Sequence, residues 1–327
     1  MQETLIRKSF PDIRAVRLEG YNVTYSRHGS GFMPRLMSQV PGLIKTVRSE
    51  HCWLKDYAKQ YPVDGIISDN RYGLYHDTVP SVIITHQLSL KTGFGPFADG
   101  AFRRLHYQFL EKFDSCWVPD VPGKPNLAGS LSHPGKLPGD TQYIGWLSQM
   151  SHPAPSSPGE QVLVLLSGPE PQRTILSDLL WQQAIKLEQK VIFVEGSTAA
   201  ASRSSIPEHI TYYQLAGAKE LQPLVEQASI VICRSGYSTL MDLVLLNKKA
   251  LLIPTPGQTE QVYLAAHLRE QGIFMSGKQS SFHLANGLEE ACRFPFHPLI
   301  QAGAHSQFEP VLDAWVASLS GNKKASV

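Results

Sequence analysis

Cysteine is scarce in this sequence and does not cluster. The four in 327 residues are Cys52, Cys116, Cys233 and Cys292. None forms a Cys-x-x-Cys pair or stands at metal-ligand spacing from a histidine. This argues against a zinc site and a disulfide framework, and it fits a reducing cytoplasm. An excess of one charge is also missing. Lys and Arg number 30 against 28 Asp and Glu, a net charge of +2, so no strongly basic face marks nucleic acid as a partner. That balance leaves room for a local basic patch at a membrane surface. No apolar run approaches a membrane span. No charged segment followed by an apolar one opens the chain, so no secretion signal is expected. Internal repeats at a fixed period are absent.

What is present reads as a folded α/β protein. The composition, 42% hydrophobic and 18% charged, is that of globular domains. The length exceeds one ordinary core and suggests two domains of roughly 150 residues each. Short, unbroken apolar runs predict strands at Ile13–Leu18, Gly65–Ser68, Ser81–Thr85, Ser115–Val118, Val162–Leu166, Val191–Val194, Ile210–Tyr213, Ile230–Cys233 and Ala250–Ile253. Strands buried on both faces of a parallel sheet have this character. Helical periods lie between them, at Pro34–Gln60, Phe97–Phe113, Pro171–Glu188, Lys219–Gln227, Thr239–Leu246, Thr259–Gln271 and Leu284–Ala291. The alternation predicts doubly wound α/β architecture.

Three prolines and four serines fill Ser148–Gly159, which suits an interdomain linker. The expected domains are therefore residues 1–147 and 160–327, with a last helix able to pack back on the first domain. Val121–Asp140 should be a long loop and Gly321–Val327 a frayed tail. The first domain shows no opening strand with a glycine-rich turn behind it. Either that unit is not part of the design or the chain starts late.

Three segments carry candidate chemistry at strand ends of the second domain. In Ile230–Asp242 (IVICRSGYSTLMD) a strand ends at Cys233, Arg234-Ser235-Gly236 turns, and a helix starts. Free N–H groups and the positive end of a helix dipole suit phosphate oxygens there. Ser235, Ser238 and Thr239 can add donors, and Asp242, one turn beyond Ser238, can accept both hydroxyls of a ribose. The plain alternative is a crossover capped by Ser235 with Asp242 in solvent. In Leu251–Val262 (LLIPTPGQTEQV) Glu260 and Gln261 fall in a first helical turn and suit sugar hydroxyls, or Glu260 merely complements the dipole. In Leu165–Thr174 (LLSGPEPQRT) a strand runs into Ser167-Gly168, with Gln172, Arg173 and Thr174 behind. Ligands of open α/β sheets bind outside strand carboxyl ends, so the three should converge. In the first domain Asp69, Arg71, His86 and Gln87 follow two strands and should point into a crevice. His86 is a natural general base or, as a lone loop histidine, a structural or solvated one, with Asp69 as an alternative base or as its orienter.

The runs CRSGYSTLMD and PTPGQTEQVYLAA resemble the C-terminal domain of the family 28 glycosyltransferases, and SDNRYG and VPSVIITHQ more weakly resemble strand ends of their acceptor domain. The resemblance is clearest over residues 167–272. It implies a GT-B fold, two Rossmann-like domains facing across a cleft. It also implies a hexosyltransferase that inverts the sugar of a UDP-sugar with no metal or other cofactor. By position it puts Ser167, Gly168, Arg173, Ser235, Gly236 and Ser238 at the donor diphosphate. Asp242 falls on the ribose, where the family has a glutamate, and Glu260 and Gln261 fall on the donor sugar. The turn SGPEPQR departs from the family's multiple-glycine loop, and the family's N-terminal histidine loop has no counterpart. No DxD-type pair follows a strand of the second domain. The acceptor, a saccharide or a lipid-linked group, would fall to Gly20–Phe32 and Gly93–Asp99. The implied location is cytoplasmic, at or near the inner face of the membrane. Two other functions compete: a UDP-sugar 2-epimerase of the same build, and a non-catalytic nucleotide-sugar binder or partner subunit.

Overall fold

In a computed structural model the short apolar runs form two all-parallel sheets. The structure describes residues 10–18, 32–89, 95–151, 159–197, 203, 205–299 and 307–324. The described residues divide into two compact units. One holds residues 10–18 and 148–299, the other residues 32–147 and 307–324.

The unit that holds residues 32–147 is built on four strands in the order β1-β2-β3-β4: β1 Ile66–Asp69, β2 Ser81–Ile84, β3 Ser115–Val118 and β4 Thr141–Tyr143. Helices α1 (Phe32–Gln60) and α2 (Pro96–Leu110) belong to it, as does the C-terminal helix Phe308–Lys324. Trp117 on β3 is almost fully buried, and the rings of Trp315 and Phe308 from that last helix meet it edge-on at 5.8 and 6.1 Å. Aromatic pairs of this geometry add to the gain from burial alone. A Cβ on Gly65 would lie 2.5 Å from the Trp315 ring, so glycine before β1 lets the helix come this close.

The expected loop Val121–Asp140 is irregular apart from a 3-10 turn at Gly129–Leu131. One buried carboxylate organises its first half. Asp120 accepts hydrogen bonds from the N–H groups of Val121, Leu127 and Ala128, from Ser132 Oγ and from the Trp146 indole. A buried loop must satisfy its backbone donors, and Asp120 meets three of them.

The other unit carries six strands in the order β10-β9-β8-β5-β6-β7. They are β5 Gln161–Leu165, β6 Val191–Val194, β7 Ile210–Tyr213, β8 Ala228–Cys233, β9 Ala250–Leu252 and β10 Met275–Ser276. Helices α3 (Gln172–Ala184), α4 (Ala218–Glu226), α5 (Tyr237–Leu245) and α6 (Thr259–Glu270) lie between successive strands, and α7 (Leu284–Arg293) follows β10. The C-terminal helix is α8. Every residue of β6 and β9 is buried, as expected for strands covered on both faces. The chain starts in the middle with β5, winds outward through β6 and β7, and then returns to lay β8 on the other side. The strand order therefore reverses between β5 and β8, the switch point at which doubly wound sheets bind ligands.

Several expectations need correction. Ile13–Leu18 is not a strand: residues 14–18 are irregular, and Ile13 and Val16 are exposed. Arginines at positions 14 and 17 break the apolar run, and among the described residues no strand pairs with it. Residues 321–324, expected to fray, continue α8 to Lys324. Strands β4 and β10 had not been anticipated, and of α8 only the existence of a last helix, not its bounds. Gly93–Asp99 is only partly a loop, because residues 96–99 form the first turn of α2. Gly93 and residues 20–31 lie outside the described residues, as does 152–158 of the expected linker. Among the described residues no helix is long and apolar enough to cross a membrane.

Candidate functional site

Strand register brings the three motif loops to one edge. Leu165 at the end of β5 pairs with Cys233 at the end of β8, and Cys233 pairs with Leu252 at the end of β9. The turns after these strands are cross-linked. Ser235 Oγ donates to the Gln261 carbonyl at 2.8 Å, and the Gln261 side chain accepts from Thr255 N–H at 2.9 Å. Arg234 donates to the carbonyls of Ile253, Pro254 and Gln172 and to the Gln279 side chain. Gly236 is the N-cap of α5 in extended conformation, and no side-chain cap closes that helix end. Its first-turn N–H groups point to an anion position. Ser238, in the same turn, is exposed.

The turn after β5 behaves differently. Ser167 and Gly168 are exposed, and Gly168 has φ +106°, which favours glycine. At the start of α3 an internal anion is already present. The Glu170 carboxylate accepts the Thr174 N–H and pairs with Arg173. Arg173 is buried and also donates to the Glu195 carbonyl. The expectation that Arg173 faces a diphosphate is therefore corrected: its charge is neutralised by Glu170, and one of its donors holds the end of β6. Likewise the Ser235 hydroxyl, expected as a phosphate donor, is fully buried and bonded to Gln261. What the turn at residues 235–236 presents is backbone.

Asp242 lies in α5 and is 5% exposed. Its carboxylate is not open. Oδ1 accepts from Ser148 Oγ at 2.5 Å and from Gln149 N–H at 3.3 Å, and Oδ2 accepts from Gln149 Nε2 at 3.3 Å. Burial raises its pKa above the ordinary aspartate value, against the opposing effect of those three hydrogen bonds. The solvated-Asp242 alternative is thereby excluded. Glu260 and Gln261 occupy the first turn of α6.

In the other unit, Asp69 ends β1 and His86 follows β2, with Asp69 paired to Ile84 in register. Asp69 reaches the surface, yet loss of solvent around its carboxylate raises its pKa, and the positive charge available on His86 opposes this. The two side chains thus sense each other. His86 is buried. Arg71 does not point into a crevice as expected: its Nε donates to the buried Glu50 of α1 at 2.7 Å, and Glu50 also accepts the Gly73 N–H. Glu50 thus fixes the loop behind Asp69, a role invisible from its place inside a helix.

Sequence reasoning also missed a buried network at the end of β6. Glu195 accepts from Ser177, Arg203 and Tyr212, and Arg203 also pairs with Asp178. Burial alone would push the Glu195 carboxyl up, but these hydrogen bonds and the Arg203 charge outweigh it and hold it lowered. Among the described residues no group of three or more His, Cys, Asp or Glu is arranged to hold a metal ion.

Two Rossmann-like units with a strand-end site of this form define a GT-B-type fold. Solved structures share it. The calicheamicin glycosyltransferase CalG4 matches at a TM-score of 0.54 with 13% identity over 94% of this chain and 83% of that one. MurG of Acinetobacter baumannii matches at 0.50 with 15% identity over 96% and 87%. Residues 172–303 match the family model for the glycosyltransferase family 28 C-terminal domain. A curated relative is 35% identical over 101 residues. It is the UDP-N-acetylglucosamine--N-acetylmuramyl-(pentapeptide) pyrophosphoryl-undecaprenol N-acetylglucosamine transferase of Methylorubrum extorquens. The match covers 29% of this chain and 27% of that relative's length.

Proposed function

We propose that the chain is an inverting, metal-independent hexosyltransferase that moves a sugar from a UDP-sugar to an acceptor hydroxyl. The observation that carries this reading is the switch-point edge of the β5–β10 sheet. There the uncapped start of α5 adjoins the first turn of α6, within the family 28 domain. Backbone N–H groups of α5 would hold the diphosphate and stabilise it as it leaves, which is electrostatic stabilisation by fixed dipoles. Asp242 would take the ribose hydroxyls, and Ser167, Gly168 and Ser238 would line the phosphates. Glu260 and Gln261 would meet the sugar. Asp69 or His86 would take the proton of the acceptor hydroxyl as it attacks the anomeric carbon. UDP should raise the thermal unfolding midpoint, by mass action on the folded state, and a UDP-sugar should be hydrolysed slowly without acceptor. The absence of any shift at millimolar UDP overturns the donor site.

The relative's name specifies a UDP-sugar donor and an undecaprenol-linked acceptor. A lipid-linked acceptor is supported here by α2. Phe97 is 94% exposed on its first turn and Leu105 is exposed two turns on, next to Arg104. Exposed apolar side chains beside arginines suit an anionic bilayer surface. The reading implies a cytoplasmic protein at the inner face of a membrane. Co-sedimentation with phosphatidylglycerol vesicles should therefore drop in the double variant Phe97→Ser and Leu105→Ser. Unchanged co-sedimentation removes the membrane contact and leaves the donor reading standing.

A further inference from the structure

Packing does not account for Arg234. The residue is 2% exposed. Its Nη1 donates to the carbonyls of Ile253 and Pro254 at 3.1 and 3.2 Å and to Gln279 Oε1 at 2.7 Å, and its Nη2 donates to the Gln172 carbonyl at 2.7 Å. These acceptors come from the β9–α6 turn, the 3-10 turn at Gln279–Ser281 and the start of α3. One side chain thus ties three separate segments to the β8–α5 turn. All four acceptors are neutral. Among the described residues no carboxylate forms an ion pair with the guanidinium, whereas Arg173, a few residues away across the edge, is neutralised by Glu170. Burial lowers the Arg234 pKa to about 10, which still leaves it charged near neutrality.

A buried cation with no counter-ion is costly. A neutral side chain could tie the same carbonyls together at less cost if tethering were the whole role. The remaining positive charge lies beside the start of α5, itself positive and closed by no side-chain cap. Two positive sources that share a low-dielectric edge and lack an anion are completed by an anionic ligand.

We propose that Arg234 is a positioning residue for the donor diphosphate. It holds the switch-point turns in one frame and supplies the fixed charge by which this edge selects a nucleoside diphosphate over the uncharged nucleoside. The proposal rests on the donor-site reading above. The Nη1 donors are spent on the protein, and the role assigned here is that of the fixed charge.

The decisive variant is Gln279→Glu, which places a carboxylate on Arg234 Nη1 and keeps that hydrogen bond. A purely structural role for Arg234 predicts an equal or stronger fold and unchanged ligand affinity. The charge role predicts an equal or higher unfolding midpoint together with UDP binding weakened about tenfold and uridine binding changed less than about twofold, as read by titration calorimetry. Arg234→Lys, which keeps the charge and loses hydrogen bonds, should unfold at a lower temperature and retain the UDP-over-uridine preference within about threefold. A folded Gln279→Glu protein with the wild-type UDP-to-uridine ratio overturns the proposal, as does an Arg234→Lys protein that loses the preference as fully as Gln279→Glu. A wild-type protein that binds no UDP brings down the donor-site reading and this inference with it. Wild-type binding with an indifferent Gln279→Glu brings down the inference alone.

Discussion

Asp242→Ala is expected to weaken UDP binding by about a hundredfold. A carboxylate that accepts two ribose hydroxyls makes two charge-assisted hydrogen bonds, each worth about 1.5–3 kcal/mol, and every 1.4 kcal/mol is about tenfold in affinity. Asp242→Asn keeps the size and one acceptor oxygen, so it should fall between the two. pH supplies an independent check. The Asp242 pKa is raised, burial being the largest cause. Binding that needs the carboxylate should therefore weaken as pH falls through a value above that of an ordinary aspartate. Stability should move the other way. The folded pKa lies above the unfolded one, so the ionised form carries a penalty at neutral pH, which is relieved as pH falls through the folded pKa. The wild-type minus Asp242→Asn difference should show affinity lost and stability gained over the same acid range. An Asp242→Ala protein that binds UDP like the wild type removes Asp242 from the site.

The second large effect concerns proton transfer. Loss of a general base costs roughly 10²–10⁴-fold in kcat with little change in KM for the donor. Asp69→Asn and His86→Ala should each cause losses of that order if the pair works as a unit. The two can be told apart through the coupling already present. Charge on His86 lowers the Asp69 pKa, while loss of solvent raises it. If Asp69 is the base, the acid limb of kcat in His86→Ala should move to higher pH, because the opposing charge is gone. If His86 is the base, that limb should vanish with the residue. Full activity in both variants would place the base elsewhere.

The legible parts of this molecule are those that burial writes into composition. Strands β3 and β6 have the expected bounds, Ser115–Val118 and Val191–Val194, because buried parallel strands are continuous apolar runs between turn residues. The edge strands β4 and β10 leave no such trace. Strand β4 is Thr-Gln-Tyr, and β10 has two residues. Helix α8 begins with Pro310 in its first turn and ends in Gly321-Asn-Lys-Lys324, a composition that reads as tail. It is held by Trp315 and Phe308 on Trp117, a contact between segments far apart in sequence. At the candidate site, motif position located the turns, and strand pairing brings them together. What local pattern could not give was the state of each side chain. Ser235 is consumed by Gln261, Arg173 by Glu170 and Glu195, and Arg71 by Glu50. Each partner comes from a different segment, or from a turn whose geometry only the fold sets. Arg234 was plainly in the motif, but its significance depends on four acceptors that the sequence does not bring together.

The hydrogen bonds on Asp242 have one more consequence. A carboxylate offers about four lone-pair positions, and Ser148 and Gln149 fill three. On the donor-site reading a ribose cannot simply add its two hydroxyls; it must displace at least one of these donors. Nucleotide occupancy and attachment of residues 148–149 to α5 are then competing events at one carboxylate. By reciprocity, whatever fastens residues 148–149 to α5 lowers nucleotide affinity, and bound nucleotide loosens residues 148–149 by the same free energy. On that reading Asp242 makes residues 148–149 a thermodynamic reporter of whether the donor is present.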